Sequence, residues 1–289
     1  MNVIVAQSAG FCWGVRRAVE LACKTAATGA ASVYTDGPLI HNEHQMRRLR
    51  ENGVDESHDP DTLPRGSTLI IRAHGISPRR RRHLETLPIA LVDATCPDVA
   101  KIQKIVREAA DGGSTVLILG DPGHAEVAGL LGNAGAHGKV VTSPRDIDAL
   151  PADLGAVCLV SQSTQPEATF EATAAATLRR FPDARIVNTI CQATRRRQSE
   201  LATLAEQCDV FVVVGSPTSA NTKRLAQIAA QLQPTVVVDS ADQLEPEPFA
   251  GVATVAVTAG ASTPDFVIDE VVERLKTFEP QTEEPPCKS

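Results

Sequence analysis

The chain has 289 residues, of which 43% are apolar, so it is long enough to bury the cores of one to three domains. Aromatic residues make up only 3%, which predicts cores of Val, Ile, Leu and Ala, as in buried parallel strands beneath helices. The net charge of −7 argues against a general nucleic-acid binder, and no run of 18 apolar residues could cross a membrane.

The N-terminus and the cysteine count indicate the cellular compartment and the kind of chemistry. A strand is predicted to begin at Asn2, without the charged segment that opens a signal peptide, so we expect a cytoplasmic protein. The chain has seven cysteines. An odd number in a reducing compartment argues against a disulfide framework and favours a metal or redox role.

Short β-branched runs alternate with helical patterns along the chain. Strands are predicted at 2–7, 32–35, 68–72, 90–93, 115–120, 156–161, 186–188, 210–214 and 254–258. Helices are predicted at 14–28, 99–110, 125–134 and 194–207, among others. This alternation is typical of βαβ units with parallel sheets and predicts the α/β class.

A threefold internal repeat of roughly 95 residues underlies this alternation. Cys12, Cys96 and Cys191 each lie where a strand leads into a helix, and another strand end follows each of them by about 28 residues. Each copy closes with a strand and a polar loop. We therefore predict three α/β modules with small, mainly parallel sheets, related by pseudo-threefold symmetry in a trefoil. Their boundaries are 14–96, 97–191 and 192–278, with the N-terminal strand 1–13 completing the third and a disordered tail at 279–289.

The three cysteines in register predict a metal site. Loops at the carboxyl ends of parallel strands can converge on one axis, and helix N-termini are expected to lower thiol pKa values there. Zinc sites usually show CxxC spacing, which the chain lacks, whereas an iron–sulfur cluster accepts such scattered ligands. Three ligands leave one iron of a 4Fe–4S cluster open for substrate. The remaining cysteines are interpreted as small buried or incidental residues: Cys23, Cys158, Cys208 and Cys287.

The other strand-end loops carry imidazoles, hydroxyls and an amide, which suit an anion such as a diphosphate. These residues are His41, His74, His124, Ser163, Thr164, Ser219, Asn221 and Ser262. No His pair shows the i, i+4 spacing of a zinc-binding helix. Each residue would also serve as an ordinary helix cap. Glu126 is the one carboxylate of the set and the candidate proton donor, although a first-turn Glu is also favoured by the helix dipole.

Two basic runs, 79–82 and 195–197, contrast with the acidic composition. Such runs are usually solvated helix faces. The functional hypothesis is that they attract an acidic electron-carrier protein.

Several motifs follow one another in a fixed order between Asn2 and about Lys276. They are Gly10-Phe11-Cys12-Trp13-Gly14-Val15, Ile40-His41-Asn42, Ala73-His74-Gly75, Asp93-Ala94-Thr95-Cys96-Pro97, Gly123-His124-Ala125-Glu126-Val127 and Thr258-Ala259-Gly260-Ala261-Ser262. In this order they closely resemble the IspH/LytB family of 4-hydroxy-3-methylbut-2-enyl diphosphate reductases. The resemblance implies reductive dehydroxylation of (E)-4-hydroxy-3-methylbut-2-enyl diphosphate to isopentenyl and dimethylallyl diphosphate, the last step of the non-mevalonate pathway. It also implies a trefoil around a 4Fe–4S cluster, reduced by a ferredoxin- or flavodoxin-type protein.

The resemblance also assigns roles by position. It implies that Cys12, Cys96 and Cys191 hold the cluster and that Glu126, aided by His124, relays a proton. Diphosphate-binding positions are implied at His41, His74, His124, Ser219, Asn221 and Ser262. Either Ser163 or Thr164 matches the substrate-contacting hydroxyl, and Ala220 stands where a second serine is common, leaving its N–H to serve alone.

Two alternatives remain at this point. An iron–sulfur hydratase or dehydratase acting on a small phosphorylated substrate would use the open iron without net electron transfer. A cluster-bearing sensor or ligand-binding protein would not need Glu126 at all.

Overall fold

The computed structural model describes residues 1–29 and 32–278, and an α-helix separates most of the consecutive strands within them. The strands are β1 (Asn2–Val5), β2 (Val33–Asp36), β3 (Val54–Ser57), β4 (Thr68–Ile71), β5 (Ala90–Asp93), β6 (Thr115–Leu119), β7 (Gly138–Val141), β8 (Val157–Ser161), β9 (Arg185–Ile186), β10 (Val210–Val214), β11 (Thr235–Val238) and β12 (Thr254–Ala259). The helices are α1 (Trp13–Ala27), α2 (Glu43–Glu51), α3 (Pro78–Leu84), α4 (Pro97–Asp111), α5 (Ala125–Ala134), α6 (Pro144–Asp148), α7 (Glu167–Arg180), α8 (Gln192–Ala205), α9 (Ala220–Leu232) and α10 (Asp265–Lys276). The predicted tail, 279–289, and Cys287 lie outside the described residues.

The strands form three four-stranded sheets in which every described pairing is parallel. Their orders are β3-β2-β4-β5, β7-β6-β8-β9 and β11-β10-β12-β1. Numbered by their order in the chain, the strands of the first two sheets are arranged 2-1-3-4. The third sheet follows the same arrangement, except that the N-terminal strand β1 takes the place of the fourth strand. The predicted α/β class with small parallel sheets is therefore confirmed.

The chain divides into two compact units. Residues 12–195 contain the sheets β3-β2-β4-β5 and β7-β6-β8-β9, while residues 1–11 and those from 196 onward contain the third. Within the latter unit, Asn2 pairs with Thr254 and Val5 with Val257, so the N-terminal strand lies beside β12. The module boundaries at 96/97 and 191/192, and the trefoil arrangement, stay predictions.

Aliphatic side chains build the cores, as the scarcity of aromatics predicts. In β10, which reads VFVVV, all five residues are buried, and β8 and β4 are buried along their whole lengths. Strands covered on both faces by helices have no solvent side, and their sequences therefore lack a polar alternation. No helix among the described residues has the length and apolar character needed to cross a membrane.

We expect Leu159→Ala to reduce the free energy of unfolding by about 2–5 kcal/mol, because it empties a site in the middle of β8. Leu159 is completely buried, whereas Leu178 in α7 is 43% exposed. Leu178→Ala is the matched control and should change stability by less than about 0.5 kcal/mol. Urea unfolding of anaerobically prepared protein measures both; equal losses in the two variants would contradict this view of the core.

Candidate active site

Each of the three cysteines in register lies immediately before a helix. Cys12 caps α1, and its Sγ accepts a hydrogen bond from the N–H of Val15 at 3.5 Å. Cys191 precedes α8, and its Sγ accepts one from the N–H of Thr194 at 3.4 Å. Cys96 stands in the same place before α4. The described residues thus show each cysteine where the sequence predicts it, between a strand and the helix that follows.

The three sulfurs also lie near one another, all within the 12–195 unit. The charge of Cys12 raises the pKa of both Cys96 and Cys191, although it is a minor cause in each case. Gly14, in the first turn of α1, allows the closest approach: a Cβ there would lie 2.5 Å from the Sγ of Cys96. A residue without a side chain is therefore needed where α1 meets Cys96.

Burial governs the acidity of two of these thiols. It raises the pKa of Cys96 to about 11, outweighing hydrogen bonds from the N–H groups of Asp98 and Val99. Burial likewise raises the pKa of Cys191 in spite of Thr194. The N–H groups at the helix N-termini do lower these two pKa values, as predicted, but the net shift is upward because desolvation of the thiolate is the larger effect. A metal that binds here must displace protons, as metals do at thiol sites.

Three imidazoles from separate loops meet in the same unit. His41 follows β2, His74 follows β4, and His124 caps α5. The ring centroids of His41 and His74 are 4.7 Å apart, and those of His124 lie 5.8 and 5.4 Å from them. One nitrogen from each ring lies within 4.8 Å of the others, so the spacing alone would also permit a metal ion. The absence of a His pair at i, i+4 spacing therefore does not exclude a metal here, because the three imidazoles come from three separate loops.

Hydrogen bonding and charge favour an anion at this histidine cluster. The Nδ1 of His124 accepts the N–H of Glu126 at 3.1 Å, so its neutral ring carries the proton on Nε2 and can donate it. Burial, with Arg72 contributing, lowers the pKa of His41. Burial followed by His41, His124 and Arg72 lowers the pKa of His74 well below its usual value. The rings of His41 and His74 are thus neutral beside the guanidinium of Arg72, whose positive charge favours an anion over a cation here.

Glu126 lies at the start of α5 with its side chain buried. Its two carboxylate oxygens accept hydrogen bonds from the same residue, one from the N–H of Ser163 at 2.6 Å and one from the Ser163 hydroxyl at 2.8 Å. The charge of Glu126 is also among the causes that raise the pKa of Cys191. Glu126 therefore lies close both to the thiol of Cys191 and to the imidazole of His124.

Ser163 and Thr164 have different partners. Besides holding Glu126, Ser163 accepts the N–H of Cys191 at its carbonyl oxygen, at 3.0 Å. The hydroxyl of Thr164 instead accepts a hydrogen bond from the side chain of Gln162 at 3.1 Å. Of the two hydroxyls left open by the sequence, that of Ser163 is the one joined to the carboxylate.

The remaining predicted residues lie in the other unit, at the carboxyl ends of β10 and β12. Ser219 caps α9, where Ala220 is the first residue, and its hydroxyl accepts the Thr222 N–H at 3.4 Å and one from Ser262 at 3.5 Å. Asn221 is buried, and its amide nitrogen has no hydrogen-bond partner among the described residues. The structure brings these residues together as a second group of polar donors.

Sequence reasoning missed two polar residues beside the histidines. The amide nitrogen of Asn42 and the Nε of Arg72 are both buried and have no hydrogen-bond partner in the described chain. Both residues directly adjoin the histidine loops, yet only burial shows that their donors are unsatisfied. Such groups are rare in folded proteins and call for an explanation.

The basic runs are largely occupied by internal partners. Arg80 pairs with Asp36 and Arg81 with Asp93. Arg195 lies 3.5 Å from Glu167. In the other unit, Arg197 is buried and donates to the carbonyl of Gly10. The two basic runs therefore do not form a continuous patch of unpaired arginines, and they do not support a docking site.

Comparison with known proteins agrees with this geometry. The family model described as LytB protein matches residues 3–276. The chain is 43% identical to the 4-hydroxy-3-methylbut-2-enyl diphosphate reductase of Opitutus terrae, across 96% of this chain and all of that protein. A reductase of the same name from Geobacter sp. is 41% identical, across 96% and 98%.

Two solved structures are similar as well. The E-1-hydroxy-2-methyl-but-2-enyl-4-diphosphate reductase of Plasmodium falciparum matches with a TM-score of 0.90 and 28% identity, across 95% of this chain and 88% of that one. A structure of (E)-4-hydroxy-3-methyl-but-2-enyl diphosphate reductase, the terminal enzyme of the non-mevalonate pathway, matches with a TM-score of 0.72 and 37% identity, across 96% and 99%. Because the family model and the relatives extend over nearly its whole length, the chain belongs to the LytB protein family.

Proposed function

We propose that the chain catalyses the reductive dehydroxylation of (E)-4-hydroxy-3-methylbut-2-enyl diphosphate, the terminal step of the non-mevalonate pathway. The hydroxyl leaves as water, two electrons and two protons are consumed, and isopentenyl or dimethylallyl diphosphate is formed. The observation that carries the proposal is the buried carboxylate of Glu126, which Ser163 fixes close to the thiol of Cys191 and the imidazole of His124. A hydratase or dehydratase is the rival, and it would turn over without a reductant.

We assign Cys12, Cys96 and Cys191 as ligands of the 4Fe–4S cluster that the family is known to carry. Their fit rests on three sulfurs at equivalent helix N-termini and on the Gly14 position, which a side chain would fill. When bound, such a cluster would pass on, one at a time, the two electrons that the external reductant supplies, and would offer an iron with an open coordination position as a Lewis acid. Cys158 and Cys208 are buried among apolar residues and are proposed as structural.

The imidazoles of His41, His74 and His124 are proposed to donate hydrogen bonds to the diphosphate. Neutral N–H donors in a half-buried setting bind an anion without the cost of burying fixed positive charge on each ring. We also propose Ser219, the N–H of Ala220, Asn221 and Ser262 as substrate-binding residues. By fixing the diphosphate, these contacts also fix the position of the rest of the substrate, so that binding energy orients the C–O bond at its alcohol end.

Glu126 is proposed to protonate the leaving hydroxyl. The hydroxyl and N–H of Ser163 fix both carboxylate oxygens, which sets the direction from which the proton is delivered. His124 is proposed to aid this relay, because it is two residues away and its ring is bonded to the N–H of Glu126. Thr164 is proposed to act through Gln162 rather than on the substrate directly.

The partner and the setting of the reaction remain proposals. The two electrons are proposed to come from a reduced ferredoxin- or flavodoxin-type protein, and the location is proposed to be the cytoplasm. The cysteines at 12, 23, 96, 158, 191 and 208 are free thiols, as a reducing compartment requires.

Anaerobic purification followed by iron and sulfide analysis tests the cluster, and turnover of the diphosphate substrate with a reduced dye tests the activity. We expect Cys96→Ala to lose both the visible absorbance and the turnover, because a ligand is removed. Cys158→Ala, which removes a buried thiol from a strand core, should keep both. A colourless wild-type protein that turns over, or turnover without reductant, would overturn the assignment.

Glu126→Gln should lower kcat at least about 100-fold, since the amide keeps the shape of the side chain but donates no acid proton. Iron content should stay at the wild-type level. Glu108→Gln, at an exposed position on α4, is the control for loss of one carboxylate and should leave kcat unchanged. If the two variants turn over equally fast, Glu126 is not the acid.

Gly14→Ala should prevent cluster assembly, because the new methyl group would lie 2.5 Å from the Sγ of Cys96. Gly112→Ala is the control, since its methyl would meet neighbouring atoms no closer than 3.4 Å. The ratio of iron to protein, measured for both variants after identical anaerobic reconstitution, checks the expectation. A normal iron ratio in Gly14→Ala would show that α1 can move away from Cys96.

A further inference from the structure

Arg72 stands at the carboxyl end of the sheet that carries two of the histidines. It directly follows β4, whose neighbour β2 leads through Gly37 toward His41. The Nη1 of Arg72 lies 3.5 Å from the place where a Cβ on Gly37 would be, so its guanidinium rests against that turn. Gly37 has a φ of +69°, which favours glycine and leaves this space open.

A backbone hydrogen bond ties the two histidine loops together beside Arg72. The N–H of Ala73 donates to the carbonyl of Leu39 at 3.3 Å. Arg72 and His74 flank Ala73, and His41 lies two residues beyond Leu39. The guanidinium and the two closest imidazoles therefore come from one interlocked pair of loops.

Arg72 forms no ion pair or hydrogen bond with another side chain among the described residues. Asp36, which is buried, receives two hydrogen bonds from Arg80, from Nε at 3.0 Å and from Nη2. Arg72 feels the charges of Asp36 and, more weakly, of Glu56, but it donates no hydrogen bond to a described residue, and its Nε is completely buried. An unsatisfied buried guanidinium donor is costly unless a ligand completes it.

We propose, on the basis of the function proposed above, that Arg72 is a specificity-determining residue for the diphosphate, supplying a permanent positive charge beside His41 and His74. Nothing in the resemblance or the comparisons assigns it a role. Its charge reaches both rings, since it is among the causes that lower the pKa of each. Burial is the main cause that keeps these imidazoles neutral, and Arg72 adds to it while supplying the positive charge that the rings lack. A guanidinium also offers paired N–H groups that match phosphate oxygens.

The test is calorimetric binding of inorganic diphosphate to the anaerobic holoenzyme, compared among the wild type, R72M, R72K and R47M. Methionine keeps the length of the side chain without charge, lysine keeps the charge without the planar fork, and Arg47 is an exposed arginine on α2. Iron content and visible absorbance are measured for each. We expect R72M to raise Kd about tenfold or more, from the loss of a charged donor. We expect R72K to recover most of that affinity and R47M to bind like the wild type.

Steady-state kinetics add a second readout. R72M should raise the KM for the substrate in parallel with Kd, with kcat within about twofold, because Arg72 is argued to act on binding and not on the proton. The proposal is overturned if R72M binds diphosphate within twofold of the wild type, if R72K and R72M are equally impaired, or if both lose the cluster. Failure of the wild type to turn over would instead refute the proposed function, and the Kd comparison would still decide the role of Arg72.

Discussion

Two equivalent backbone hydrogen bonds organise the site. The N–H of Cys96 donates to the carbonyl of Ala73 at 2.9 Å, and the N–H of Cys191 donates to the carbonyl of Ser163 at 3.0 Å. In each case a cysteine after the last strand of a sheet is bonded to the loop after the neighbouring strand. This interaction extends the parallel ladder by one step beyond the strands, so sulfur, histidine and carboxylate stand on a rigid edge and not on free loops.

These two backbone hydrogen bonds also explain how residues far apart in the sequence come to lie in one site. Ala73 precedes His74, and Ser163 holds Glu126, so each bonded loop joins a cysteine to a group that we propose to act on the substrate. A shift of either loop would move the thiol and its partner group together. The histidine cluster and the carboxylate thus keep a fixed relation to the sulfurs, which is what orienting one small substrate over several groups requires.

Sequence reasoning found most of the fold because buried parallel strands are continuous apolar runs. It missed β3, β7 and β11, which form one edge of each sheet, while it found β5, β9 and β1 at the opposite edges. VDES of β3 and GKVV of β7 contain charged residues, so neither is a continuous apolar run, whereas β11 reads TVVV and this reason does not apply to it. It placed the cysteines and histidines in the loops that follow strands, because the internal repeat and the residue types are visible in the sequence itself. Arg72 and the raised pKa values depend on burial, which three-dimensional packing sets and a sequence pattern does not show.

The place of β1 in the third sheet has a consequence for the order of events during synthesis. Pairing Asn2 with Thr254 closes a loop of about 250 residues, so the strand made first waits for the strand made nearly last. Each doubling of loop length adds only about 0.6 kcal/mol of closure cost, so the final stability suffers little. The effect is on the order of assembly: all strands of the two sheets within residues 12–195 are synthesised before β12, the partner that β1 needs. A circular permutant that begins in the loop between β1 and Cys12, and carries β1 behind α10, would remove that wait and make the last sheet contiguous in the chain.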